Sequence, residues 1–452
     1  YRAWDGVVDA ISRWLRKIEG QVSAAQAAWL LPKDVHALAQ VFPVLRRVPS
    51  IAELATPRVP TNNPDRLRRL AFDALRELLR NMGREGPVVL WIDDFHWADR
   101  DSRVLLEDVL SGSDAPPLLL VTTERPSELE LAVEARTLAL EPLPSRDAVA
   151  LARELLSDET TLDLEGFAAE SGGHPMFLQQ LLRHARKAGE SAPRLDEMLR
   201  QRVDRLEPKA RRLLEIACIS TVPLERSVAS RATGLDAATC QEMQSLLESE
   251  QLLRSIPGDI VRFAPYHDRI REALLETLAP EHRSRHHAAI AAALEAATRD
   301  RRDADRDRVW HLAEAGQREQ AAAAAELAAQ KATEALAFDR AAELYRMTLH
   351  LGRHEPEKEI ALRLALSDAL ANAGRGAIEA AQGFLAAADA QKDPELALSL
   401  RTRALEQLAM SGHTEQAMEL LVKLCDEVGV GLARSRFGAL VSLVRRRLQL
   451  RF

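Results

Sequence analysis

The chain has 452 residues, enough for about three domains, with 46% hydrophobic, 29% charged and only 4% aromatic residues. Its 61 basic and 68 acidic residues leave a net charge of −7, which argues against a nucleic-acid-coating or anionic-membrane-binding surface. Three cysteines, Cys218, Cys240 and Cys425, without Cys-x-x-Cys spacing, argue against a disulfide framework or a cysteine zinc site and fit a reducing cytoplasm.

No apolar run approaches the roughly 20 residues of a bilayer span. The chain starts at Tyr1 with neither methionine nor signal peptide and is read as a piece of a longer polypeptide. Residues 4–18 place Trp4, Val7, Val8, Ile11, Trp14, Leu15 and Ile18 at helical spacing. Prolines 32, 43 and 49 break residues 24–50 into short helices, and Pro57, Pro60 and Pro64 mark 54–64 as a loop. Asn63 then caps a helix with Pro64 at its first position, and Leu67, Leu70, Ala71, Ala74, Leu75, Leu78, Leu79 and Met82 line its apolar face.

After Gly86-Pro87 the period changes. Val88 to Ile92 is a continuous apolar run, read as a parallel strand buried on both faces. A helix from Asp101 to Leu110, a second strand from Leu118 to Thr122 and a third from Thr137 to Leu140 complete a helix–strand alternation, the pattern of an α/β core. From Ser145 helices take over, at 145–157, 162–171 and 175–188. Two apolar runs flank Pro257-Gly258-Asp259, a hairpin signal; with the helices before it this reads as a winged-helix module. Beyond 285 the chain is Ala-rich and helical. Leu312-x3-Gly316, Leu370-x3-Gly374 and Leu408-x3-Gly412 form an unevenly spaced repeat, which is either degenerate or has hidden members, with Phe338-Asp339-Arg340-Ala341 a candidate. A glycine between amphipathic helices suits a TPR-like solenoid; an ordinary irregular helical domain is the alternative.

The residues richest in chemistry are Asp93 and Asp94, followed by Phe95-His96-Trp97-Ala98-Asp99. A buried strand delivers both carboxylates to its C-terminal edge, where open α/β sheets bind ligands. The first can hold a hydrated Mg²⁺ that bridges nucleotide phosphates, and the second can polarise water, the chemistry of a Walker B motif. Two aspartates capping a buried strand would look the same. Arg125 follows the next strand, and its guanidinium matches phosphate oxygens; an ordinary surface arginine would read alike.

Taken in order, these residues resemble the signal-transduction branch of AAA-related NTPases, the STAND group. The resemblance places Arg125 at the sensor-1 arginine. Ser171-Gly172-Gly173-His174-Pro175-Met176-Phe177 resembles the family's Gly-x-Pro motif, which implies adenine contact by Pro175 beside Gly173. Tyr266-His267-Asp268 resembles its Met-His-Asp motif, with Tyr in place of Met, and implies that His267 touches the β-phosphate of ADP. Tyr1 to Asp9 and the Ala-rich tail with Val444-Arg445-Arg446-Arg447-Leu448 resemble bacterial Ser/Thr kinases that carry an ATPase–TPR tail.

The fold this implies is α/β plus all-α: a partial P-loop NTPase core at 1–142, a helical lid at 143–199, a winged-helix module at 200–300 and TPR-like repeats at 301–452. The implied cofactors are ATP or ADP with Mg²⁺, Asp93 holding the metal through water and Asp94 serving hydrolysis. No Gly-x4-Gly-Lys-Ser/Thr occurs in the chain, so the P-loop and any kinase domain are expected upstream, and the piece alone is expected to be inactive. A LuxR-type regulator or cyclase with the same core, or a TPR scaffold with an inactive ATPase, are the competing readings. Residues 232–253 contain Asp236, Glu242, Glu248 and Glu250 but no Lys or Arg, so direct nucleic-acid binding is not expected. Protein partners are expected on the TPR-like repeats, with self-association a further expectation. The C-terminal arginines, Arg434 to Arg451, read as the solvated face of a last helix.

Overall fold

The computed structural model describes residues 1–21, 28–54, 63–125, 135–156, 162–188, 195–256, 260–297 and 304–430. The Pro257-Gly258-Asp259 turn and the C-terminal arginine cluster lie outside the described residues. The chain divides into two compact units. One combines Tyr1–Glu134 with Glu319–Phe452, and the other is Ala135–Arg318.

In the first unit, α1 (Arg2–Glu19) buries Trp4, Val8, Ile11 and Leu15 at helical spacing. Short helices α2 (Val35–Val41) and α3 (Pro49–Leu54) follow, as the prolines predict. The start of α4 (Pro64–Glu85) is as expected: Asn63 Oδ1 accepts the Arg66 N–H at 3.1 Å, and Pro64, which lacks an N–H, costs no helix bond there. Its buried stripe is shifted from the sequence expectation. Arg68 and Phe72 are buried, while Leu67 and Leu70 are half-buried.

Strand β1 (Val88–Ile92), helix α5 (Arg100–Leu110) and strand β2 (Leu118–Thr122) form a parallel βαβ unit, with Val88 opposite Leu118 and Ile92 opposite Thr122. Two expectations are corrected here. Burial of β1 is one-sided: Leu90 and Ile92 face the core, while Val89, Trp91, Leu119 and Val121 are exposed by 59%, 69%, 58% and 40%. An apolar run shows that a strand can be covered on both faces, but a covering layer is needed to do it. The predicted strand at Thr137–Leu140 does not form; Leu138 and Leu140 are 71% and 98% exposed. A strand needs a neighbour's ladder, and among the described residues none pairs with this one.

The second unit begins with α6 (Ser145–Leu156), α7 (Leu164–Glu170) and α8 (Pro175–Ala188), close to the predicted bounds. Helices α9 (Leu195–Asp204) and α10 (Pro208–Ile219), strand β3 (Leu224–Glu225), helices α11 (Arg226–Thr233) and α12 (Ala237–Ser249), and strands β4 (Leu253–Ile256) and β5 (Arg262–Pro265) follow. The three strands form an antiparallel sheet in the order β3-β5-β4, so the predicted hairpin pairing is present. Asp236 Oδ1 accepts the N–H groups of Ala238 and Thr239 and caps α12. Helices α13 (Asp268–Thr277), α14 (Pro280–Ala297) and α15 (Ala304–Glu314) complete the unit. One apolar core, from Ala148 to Leu294, runs through it.

The chain then returns to the first unit as α16 (Arg318–Glu334), α17 (Phe338–Leu351), α18 (Pro356–Ala373), α19 (Ala377–Ala390), α20 (Pro394–Met410) and α21 (Thr414–Glu427). From α17 to α21 each helix packs on the next. The predicted turn glycines Gly316, Gly374 and Gly412 have φ of 77°, 69° and 82°, the left-handed conformation that ends a helix and that only glycine adopts without strain. Among the described residues no helix is long and apolar enough to cross a membrane.

Candidate functional site

The predicted site residues fall into two groups, one in each unit. In the first, β1 hands the chain to Asp93 and Asp94 at its C-terminal edge. Asp93 is exposed and Asp94 half-buried. Asp94 has φ +53°, a left-handed backbone that non-glycine residues rarely hold. Thr123, just past β2, holds that bend. Its N–H donates to Ile92 O at 3.1 Å, and its O accepts the Phe95 N–H at 2.7 Å. Its hydroxyl accepts the Asp94 N–H at 2.9 Å and donates to Asp93 Oδ1. One threonine thus orients the first carboxylate and anchors the backbone of the second.

Past this turn, buried Phe95 lies under the Arg103 guanidinium, 5.0 Å from the ring centroid, and Asp99 caps α5 by accepting the Ser102 N–H at 2.7 Å. The turn is therefore continuous with a rigid helix. Both ring nitrogens of His96 are shielded from solvent without a hydrogen-bond partner among the described residues. Arg125 lies two residues beyond Thr123 and is exposed.

Thr123 escaped the sequence reading, because a threonine at a strand end is ordinary β composition. The register held the signal: with Ile92 opposite Thr122, the next residues, Asp93 and Thr123, fall side by side.

Among the described residues no three His, Cys, Asp or Glu side chains gather as a metal-binding group. A cation at Asp93 would take its other ligands from phosphate and water, the usual habit of Mg²⁺, and an exposed, oriented carboxylate fits that role.

In the second unit the fold brings Gly173, Pro175 and His267 together. Pro175 opens α8. Gly173 has φ +74°, its O accepts the Leu143 N–H at 2.9 Å, and an added Cβ would lie 2.3 Å from Leu143 O. Only glycine fits this crossing of two backbones. His267 packs against the same turn, its ring centroid 5.1 Å from that of His174 and 4.5 Å from that of Phe177. His267 is also the N-cap of α13, with Nδ1 accepting the Arg269 N–H at 3.2 Å. That bond places the proton of the neutral ring on Nε2. His174 and Phe177, quoted within the motif but given no role in the sequence reading, are what join the two motifs.

Residues 7–121 match a family described as the AAA ATPase domain. This stretch includes β1, Asp93 and Asp94. An uncharacterized protein of Rhizobium meliloti (strain 1021) is 35% identical over 127 residues, covering 26% of this chain and 12% of that protein. The chain thus spans a small part of that relative. Among solved structures, the Signal Transduction ATPase with Numerous Domains (STAND) protein with a tetratricopeptide repeat sensor from Pyrococcus horikoshii is similar at 14% identity and a TM-score of 0.37, over 87% of this chain and 74% of that one.

Proposed function

We propose that the chain is the nucleotide-responsive and helical-repeat region of a bacterial multidomain signalling ATPase of the STAND type, with a Ser/Thr protein kinase as its partner domain. The observation that carries this reading is the carboxylate pair at the C-terminal edge of β1, fixed by Thr123, within the stretch that matches the AAA ATPase domain. In this reading Asp93 holds Mg²⁺ through water and Asp94 orients the attacking water. Arg125 meets phosphate, Gly173 and Pro175 shape the adenine side, and His267 contacts ADP. The β3-β5-β4 module acts as an internal winged helix, and α16–α21 as TPR-like repeats for protein partners and self-association in the cytoplasm.

The bare sheet face supports an upstream P-loop half. Val89, Trp91, Leu119 and Val121 present a contiguous apolar surface on a parallel sheet, a kind normally covered on both faces. The unsatisfied nitrogens of His96 also call for partners from another segment.

The test is ATP and ADP binding by a polypeptide extended upstream to include a P-loop. Nucleotide binding, weakened by Asp93→Ala and spared by Asp94→Asn, supports the reading. Trp91 fluorescence should also shift to shorter wavelength in the extended protein as its face is covered. No binding by the extended protein would favour the scaffold reading, which the lack of a P-loop in these 452 residues keeps open.

A further inference from the structure

The turn between α16 and α17, Ala335 to Ala337, is seated against the N-terminal helices of its own unit. Leu336 is buried at φ +58°, and its O accepts the Tyr1 hydroxyl at 3.0 Å. Gln40 Nε2 donates to Glu334 O at 3.3 Å. Phe338, fully buried, opens α17 beneath Arg68 of α4, whose guanidinium carbon lies 5.8 Å from its ring centroid and 5.3 Å from that of Phe72. The apolar side chains hold the turn in place.

The centre of this contact is ionic. Asp101 of α5 has no exposed surface. Its Oδ1 meets Arg68 Nη2 at 3.4 Å, and its Oδ2 accepts the Arg340 N–H at 2.9 Å. The N-cap of α17, Ala337, has no side chain that can cap. Asp101, already in the first turn of α5, therefore also caps a helix 239 positions away. Asp339 reaches Arg100 Nε at 3.5 Å. The bonding is incomplete: Arg68 Nε and Asp339 Oδ2 are both buried without a hydrogen-bond partner among the described residues. Partly satisfied buried charges weaken a contact relative to an apolar one of the same shape, while fixing its register.

We propose that this seam is a release joint, at which the α16–α17 turn and the array behind it leave α4 and α5 while the helices on each side stay folded. Asp101 is carried on the helix that issues from the Asp93–Asp99 turn, so motion of that turn moves the joint. The link to nucleotide rests on the proposed function above; the joint itself does not.

The test uses the 452-residue chain without nucleotide, so its failure is separable from failure of the nucleotide reading. Amide hydrogen exchange is followed in peptides covering 334–345, in α4 around Leu75–Leu79, and in β4–β5 as a reference from the other unit. In the unmodified chain the seam peptides are expected to exchange at least ~10-fold faster than the α4 core, as sub-global opening requires. Arg68→Met combined with Asp101→Asn removes both charges and keeps an acceptor for the Arg340 N–H; it should slow the seam at least ~10-fold and leave α4 unchanged. Asp101→Ala strands Arg68 and the Arg340 N–H, and should speed the seam by a similar factor. Seam and α4 exchanging together in all three proteins would overturn the proposal, as would a neutral double variant whose seam is no slower. The double variant decides the matter if Asp101→Ala does not fold.

Discussion

The imidazole of His267 stands edge-on to the ring of Phe177, at 73° and 4.5 Å between centroids, while its Nδ1 accepts the Arg269 N–H. Helix capping and a proposed phosphate contact therefore use different ring nitrogens. His267→Ala should cost about 1 kcal/mol of stability without nucleotide, the usual value of an N-cap, and His267→Asn should recover most of it. In a P-loop-bearing polypeptide His267→Asn should nonetheless weaken ADP binding by roughly 10-fold or more, the effect of losing one hydrogen bond to a charged group. Calorimetric titration with ADP and thermal melting of both variants check this. Wild-type ADP affinity in His267→Asn would leave only the cap.

Thr123 bears on hydrolysis through Asp93 and Asp94. In the extended polypeptide, Thr123→Val keeps the shape and removes the hydroxyl that orients Asp93, so turnover should fall by roughly 10- to 100-fold, the usual effect of losing a group that orients a metal-binding residue. Thr123→Ser should restore it. The midpoint of urea unfolding should move little in Thr123→Ser. A Thr123→Val protein with full turnover would show that Asp93 needs no orienting group.

Gly173→Ala places a methyl 2.3 Å from Leu143 O at φ +74°. Backbone cannot yield as a flexible side chain would, so a loss on the order of 2–4 kcal/mol is expected. Urea unfolding should show it in the transition of Ala135–Arg318. Gly172→Ala is the control: its φ is +59°, but nothing lies within 4 Å of the added carbon, so its loss should be only about 1 kcal/mol. Equal losses in the two variants would argue against a backbone clash.

The two units should respond oppositely to acid. On α14 and α15, His287 Nδ1 and His311 Nδ1 lie 2.9 Å apart, and burial pushes these imidazoles down from 6.5 to about 4 and about 3. The unfolded chain then binds more protons between those values and 6.5, so this hairpin loses stability as pH falls through that window. Burial of Asp101 acts the other way, raising its carboxyl from 3.8 to about 6 despite Arg68. Its contribution is full below 3.8 and lost as pH rises through about 6. Between pH 6.5 and 4.5, exchange corrected for intrinsic rates should rise in α14–α15 and fall in the α16–α17 turn. His311→Leu and Asp101→Asn should each flatten the response of their own unit only. A common direction in both units would contradict this assignment.

Much of the architecture was legible because periodicity and caps are local. Asn63-Pro64 marks the start of α4, and Gly374 and Gly412 end their helices where the repeat placed them. The strand carrying Asp93 was visible as five apolar residues after Gly-Pro. One-sided burial was not, since Trp91 reads the same whether or not a layer covers it. The part played by Asp101 was hidden for a similar reason. An acidic residue in the first turn of a helix is ordinary at a surface, and nothing near it in sequence announces the distant turn it caps. Asp93, Asp94 and Arg125 stand out in the sequence as charged residues that follow apolar runs; Thr123, which orders the first two, makes its bonds across a register that exists only once the strands pair.

The interleaving of the first unit has a consequence for biosynthesis. Its closing hydrogen bonds join Asp101 to Arg340 and Tyr1 to Leu336, across 239 and 335 positions. Ala135–Arg318 lies between them as an unbroken stretch. At roughly 5–20 residues per second, a ribosome delivers that intervening unit whole before it makes Phe338. The N-terminal helices and the sheet bearing Asp93 must wait, with Tyr1, Phe72 and Asp101 uncovered, for roughly ten seconds or more. The nascent carboxylate-bearing segment is therefore the one that needs shelter by a chaperone, and the middle segment the one that can mature unaided.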